Sequence, residues 1–220
     1  MASFFNLTLD TTAPAGLTLK LNNGAAYATS TSVTATIGLT DSVTTGYQMK
    51  IWGVAGAATE SEAAWATFVK SKAITLTTGD GQKTVSIKVR DDVGNETAIV
   101  TAKITLDTAV PVVTITGPDK SKISKVATFN VSAFSFSANV DFEEYKIKVV
   151  PSESSLENAG TQIPVTAGST NTSGTAGGYK ADTAINVTIN GADLETASAG
   201  DGVKIVKVFV KNAAGTWSVA

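Results

Sequence analysis

The 220-residue chain contains no histidine and no cysteine. Without histidine it lacks the usual general base of Ser-His-Asp and Cys-His sites, and also the commonest zinc ligand. Without cysteine there can be no disulfide framework, no thiolate nucleophile and no iron–sulfur ligation. Aromatic residues make up 7% of the chain and charged residues 16%. The formal net charge of -2 leaves no basic stripe to neutralise phosphates, so a nucleic-acid partner is not expected. No uncharged apolar run approaches the length that crosses a bilayer, so membrane insertion is not expected either. The opening MASFFNLTLD has neither a basic region nor an apolar core and does not read as a signal peptide.

The chain is instead rich in short alternating runs of Val, Ile, Leu and Thr separated by turn residues. That is strand periodicity. Leu17, Leu19 and Leu21 share one face, as do Val33, Ala35 and Ile37. Val85, Ile87 and Val89 align on another strand, and residues 96–106 read as one long strand with Val100, Ala102, Ile104 and Leu106 in phase. One stretch departs from this pattern. In TESEAAWATFVKS (59–71), Thr59 and Glu62 have capping-box spacing, and Trp65, Phe68 and Val69 follow helical spacing. A short helix closing one sheet edge is expected there.

The second half repeats the first. GDGQKTVSIKVRDDVGNET (79–97) aligns with GDGVKIVKVFVKNAAGTWS (200–218), and MKIW (49–52) aligns with YKIK (145–148). Between these landmarks the second copy is longer, and the Gly/Ser/Thr-rich segment 164–182 reads as an inserted loop or hairpin. Two copies of about seven strands each point to tandem β-sandwiches. DTTAP as a domain opener, MKIWG and GDGQKTVSIKVRDDVGNET resemble bacterial and bacteriophage immunoglobulin-like repeats. The expected fold is therefore all-β: two immunoglobulin-like β-sandwiches in tandem with one short helix in the first. An N-terminal arm would span residues 1–10, domain 1 residues 11–107 and domain 2 residues 108–220. The resemblance implies a binding or assembly module rather than an enzyme. It suggests a bacteriophage virion protein, assembled in the host cytoplasm and decorating capsid or tail, in contact with other virion proteins and present as a homo-oligomer or in many copies. A host cell-surface glycan is a further candidate partner. The alternative is a fragment of a bacterial cell-surface adhesin or carbohydrate-binding module, for which Tyr47, Trp52 and Tyr179 are candidate aromatic contacts.

No catalytic residue, cofactor or metal is expected, although four places invite the question. The Gly79-Asp80-Gly81 and Gly200-Asp201-Gly202 turns precede strands and lack the Lys-Ser/Thr pair of a phosphate loop. Asp91, Asp92, Asn95 and Glu96 offer oxygens suited to Ca²⁺, but the carboxylates do not recur in the second copy. Asp10 and Asp107 recur at equivalent domain entrances and read as turn caps. Glu143 and Glu144 are neighbours on a strand and are expected on opposite faces, so they do not form a facing pair.

The ends carry the sharper signal. Leu7, Thr8, Leu9 and Asp10 align with Ile104, Thr105, Leu106 and Asp107. Residues 2–9 therefore read as the last strand of a copy that is not there, while the second copy stops short of its own last strand. Phe4, Phe5, Leu7 and Leu9 are the candidate assembly residues. Their strand is expected to pair within the first copy, to complete the second domain of a neighbouring subunit, or to dock on an unrelated partner.

Overall fold

The structure is a computed structural model. It describes residues 5–125, 131–163, 170–172 and 178–219. The chain divides into two units, Met1–Thr108 and Ala109–Ala220. It is built mostly from β-sheet with one short α-helix among the described residues, which is the composition of an all-β sandwich protein.

Unit 1 holds β1 (Thr18–Leu21), β2 (Tyr27–Ala28), β3 (Ser32–Gly38), β4 (Gln48–Trp52), β5 (Ala66–Thr67), β6 (Ser71–Thr75), β7 (Gly81–Arg90) and β8 (Val100–Leu106). They form two sheets, ordered β1-β3-β6 and β2-β8-β7-β4-β5. Alternation decides the faces. Leu19, Leu21, Val33, Ala35, Ile37 and Ile74 come from the first sheet, and Met49, Val85, Ile87, Val89, Ile104 and Leu106 from the second. All of them are buried in a single core.

Unit 2 holds β9 (Val113–Thr116), β10 (Val131–Ala138), β11 (Glu144–Val150), β12 (Thr161–Gln162), β13 (Thr170–Thr172), β14 (Ile185–Asn190), α1 (Gly191–Ala197) and β15 (Ile205–Lys211). One sheet is ordered β9-β10-β14. In the other, β12 and β13 pair with one edge of β11 and β15 pairs with the opposite edge. An aromatic cluster fills the core, with Phe136 set edge-on to Tyr145 and Phe142 stacked on Tyr179.

The two units share a strand register. Lys50 pairs with Lys88 and Ile51 with Ile87. The aligned residues of unit 2 pair the same way, Lys146 with Phe209 and Ile147 with Val208. The loop after the strand repeats as well. The Val89 N–H donates to Thr97 Oγ1 at 3.1 Å, and the Val210 N–H donates to Ser218 Oγ at 3.2 Å.

The expected helix over 59–71 does not form. Its capping contact does, with the Thr59 N–H donating to Glu62 Oε2 at 2.9 Å, but the turn stops there. Ala66 and Thr67 instead pair with Met49 and Gln48 along the free edge of β4. A short helix gains little per residue after an unfavourable nucleus, whereas an unpaired strand edge nearby offers backbone hydrogen bonds at once. Burial follows the strand geometry, with Ala63 and Phe68 buried and Val69 exposed. Among the described residues the one α-helix belongs to unit 2, not unit 1. It is capped by Asn190, whose side chain accepts from the Ala192 N–H, and it lies between β14 and the Gly-Asp-Gly turn, where unit 1 has only a turn. Part of the extra length of the second copy is therefore α1. Of the inserted segment 164–182, Thr170–Thr172 adds a short strand to β11, and residues 164–169 and 173–177 lie outside the described residues.

The loop after β7 is organised by Asp91, which is buried. Its Oδ1 accepts from the N–H groups of Val93, Gly94 and Asn95, and its Oδ2 accepts from the Asn95 side chain. Burial pushes its pKa up, but these hydrogen bonds outweigh it and hold the carboxyl below its ordinary value. A group with a depressed folded pKa stabilises the fold above its unfolded pKa and loses that contribution as pH falls through the folded value. Unit 2 has Asn212 at the aligned position, accepting from the Thr216 N–H. Asp91→Asn is therefore expected to lower the melting temperature of unit 1 by a few degrees at neutral pH. The gap to the parent chain should close as pH drops below about 4, and a pH series of thermal melts checks this.

Candidate functional site

The two units differ at one sheet edge. In unit 1, β8 covers the outer edge of β7, pairing Val100 with Ile87, Ala102 with Val85, Ile104 with Lys83 and Leu106 with Gly81. Ile104 and Leu106 are fully buried. In unit 2, among the described residues, no strand covers the outer edge of β15. Beyond Val210, which binds Ser218, and the Lys211–Trp217 bridge, no pairing along that edge is made among the described residues.

A groove of about 690 Å³ runs along it. Its lining includes Gly202, Lys204, Val206 and Val208, which are the aligned counterparts of Gly81, Lys83, Val85 and Ile87. The floor is apolar, built from Ile115, Phe134 and Ile189 on the facing sheet, and Pro118, residues 120–123 and Leu194 of α1 complete the walls. The groove is thus the slot that β8 fills in unit 1. Burial records the difference: Val85 is fully buried, Val206 is only partly so, and Ile115 is 45% exposed. Burying a Leu or Ile side chain contributes on the order of 1.5–3 kcal/mol. Unit 1 gains this from Ile104 and Leu106, and the described part of unit 2 has no equivalent.

Of the candidate assembly residues, Phe5, Leu7 and Leu9 lie outside every described sheet. Phe5, Leu7 and Leu9 are 85%, 86% and 87% exposed, and residues 5–10 make no strand pairing in unit 1. Residues 5–10 belong to no first strand of unit 1, and β2 lies along the edge of β8 away from β7. Phe4 lies outside the described residues. The segment is anchored at its far end, where Asn95 Nδ2 donates to the Asp10 carbonyl at 3.3 Å and the Thr12 N–H donates to Asp10 Oδ1 at 2.9 Å. Asp10 thus caps a turn.

The remaining candidates are structural. The Asp80 carboxylate accepts from both the N–H and the hydroxyl of Thr108, tying the end of β8 to the Gly-Asp-Gly turn. The Asp91 oxygens are used up within their own loop, and Glu96 pairs with Lys88. No group of three or more acidic side chains that could hold a metal ion occurs among the described residues. Glu143 and Glu144 do not diverge as neighbours on a strand should. Glu143 precedes the first residue of β11, and both carboxylates reach Lys211. Tyr47 packs against the core and donates to Asp41 while Trp52 sits on the opposite face of β4, so these two do not share a face; Tyr179 packs against the core of unit 2.

Sequence reasoning missed a pair of tryptophans. Trp65 lies against Arg90 and Lys50 in unit 1, with centroid distances of 4.4 Å and 5.7 Å. In unit 2, Trp217 lies against the aligned Lys146 and Lys211, at 4.3 Å and 5.5 Å. The cations align between the copies but the tryptophans do not, so the repeat conceals the equivalence.

No family model matches the chain, and no curated protein matches it. Solved structures with detectable similarity include chitinase ChiA74 from Bacillus thuringiensis, at 13% identity and a TM-score of 0.31, covering 92% of this chain and 30% of that one. A second is dimeric latent PorU from Porphyromonas gingivalis, at 14% identity and a TM-score of 0.29, covering 97% of this chain and 20% of that one. A third is a carbohydrate-binding module of the β-sandwich superfamily, at 11% identity and a TM-score of 0.35, covering 95% and 99%. The chain thus spans under a third of the chitinase and PorU chains.

The open slot makes a testable contrast. Val85→Ala is expected to cost on the order of 2 kcal/mol, and Val206→Ala less than half as much in the dilute chain. Urea denaturation of the two variants, compared by midpoint, measures both.

Proposed function

We propose that this chain is a non-enzymatic structural protein made of two immunoglobulin-like β-sandwiches, present in many copies on a bacteriophage virion as a capsid or tail decoration. The observation that carries the reading is the apolar groove beside the open edge of β15. A sandwich with an uncovered slot of this kind is suited to receiving an extended segment, with main-chain hydrogen bonds giving affinity and alternate side chains giving register. The resemblance of GDGQKTVSIKVRDDVGNET to surface-displayed repeats supports the setting. Other virion proteins and further copies of the chain are the proposed partners, and the virion, assembled in the host cytoplasm, is the proposed location. A fragment of a bacterial surface adhesin or a carbohydrate-binding module is the competing reading. It draws on the partly exposed Trp52, but Tyr47 does not join it on a common face.

Particles produced by cells that carry the gene provide the test. After density-gradient purification, the protein is expected to band with the particles at many copies each, by quantitative mass spectrometry. Recovery in the cell-envelope fraction, with retention of the purified chain on insoluble polysaccharide, would instead establish the competing reading.

A further inference from the structure

We propose that the groove along β15 is filled by residues 5–11 of a second copy of this chain, so that the copies join head to tail by strand addition. The inference rests on the reading of the chain as an assembly module and names its partner. Three observations carry it.

The first is the aligned register. Phe5, Leu7 and Leu9 align with Ala102, Ile104 and Leu106, which in unit 1 pair opposite Val85, Lys83 and Gly81. Carried to unit 2, the same register sets Phe5 opposite Val206, Leu7 opposite Lys204 and Leu9 opposite Gly202, all of which line the groove. Alternate residues of a strand share a face, so the three apolar side chains enter together while Asn6 and Thr8 point away. The second observation is exposure. The same three side chains project into solvent, with no element among the described residues covering them. An apolar strip and an apolar slot of matching register are thus both present in one chain.

The third is the latch. In unit 1, Thr108 donates its N–H and hydroxyl to Asp80 at 3.0 Å and 2.9 Å. Thr11 aligns with Thr108 and Asp201 with Asp80, and both are exposed. The inserted strand would end on the same pair of hydrogen bonds. The contact joins two different surfaces of the molecule. It is therefore heterologous and propagates into a ring or a filament.

Disulfide trapping and solution mass test this with the full chain, which has no cysteine of its own to interfere. Directly opposed residues on antiparallel strands lie about 4.5–5.5 Å apart between Cα atoms, within disulfide reach. Single variants Leu7→Cys and Lys204→Cys, mixed and oxidised, are expected to cross-link between chains at least tenfold more than Asn6→Cys with Lys204→Cys. Mass photometry across a concentration series is expected to show multimers for the parent chain and monomers for Leu7→Lys/Leu9→Lys, with the melting temperature of unit 1 unchanged. A labelled peptide of residues 3–12 should bind that double variant and lose at least tenfold in affinity when Asp201→Ala is added. A parent chain that stays monomeric at all concentrations overturns the proposal. So does a multimer that survives Leu7→Lys/Leu9→Lys, or a cross-link that forms within one chain carrying both cysteines. If Leu7→Lys/Leu9→Lys still self-associates and still enters particles, strand addition fails while the virion reading stands.

Discussion

A strand inside a sandwich carries hydrogen-bonding groups along both edges, and each buried group has to find a partner. In this molecule that constraint bears on the strand after the Gly-Asp-Gly turn. In unit 1 the constraint is met by β8, which follows β7 through the Asp91 loop and returns along it. In unit 2 the same turn, strand and loop are present in the same register, but among the described residues no strand covers the outer edge. The groove, the partly exposed Val206 and the exposed Ile115 all follow from that uncovered edge.

Around this difference the units are held together by equivalent contacts made from different residues. Asp91 organises its loop as a buried carboxylate, while Asn212 does so as a neutral amide. A tryptophan lies over the same two aligned cationic positions in each unit, but Trp65 arrives from the segment before β6 and Trp217 from the segment after β15. The β-edge of β4 is covered by Ala66 and Thr67, and the corresponding edge of β11 by Thr170–Thr172 and by β12. What recurs is the place to be filled; the residue that fills it varies.

This explains which features could be read from the sequence. Strict alternation in SVTATIG and KTVSIKV identified both strand and buried face, because period-two patterning has no helical equivalent. The aligned Gly-Asp-Gly turns made the repeat legible, since glycine at positive φ opens both turns, at Gly79 and Gly200. The segment 59–71 misled because capping-box spacing describes one turn only, and the tertiary demand of the β4 edge decided what came next. The helix α1 was hidden in GADLETA, seven residues with Leu194 packed against the core and too few turns to show a period. The paired tryptophans were hidden for the opposite reason: their surroundings repeat while they themselves do not.

The Asp91 loop also separates the two units in molecularity. Because β8 follows β7 through that short loop, covering the edge of unit 1 is a unimolecular step, fast through its local contacts and indifferent to how much protein is present. The edge of β15 has no such local strand in the described chain. Any covering of it by another molecule is second order, and the stability of unit 2 then acquires a dependence on concentration that unit 1 does not share. One sequence repeat thus appears twice in the same chain, once with its edge covered from within and once, among the described residues, with that edge uncovered.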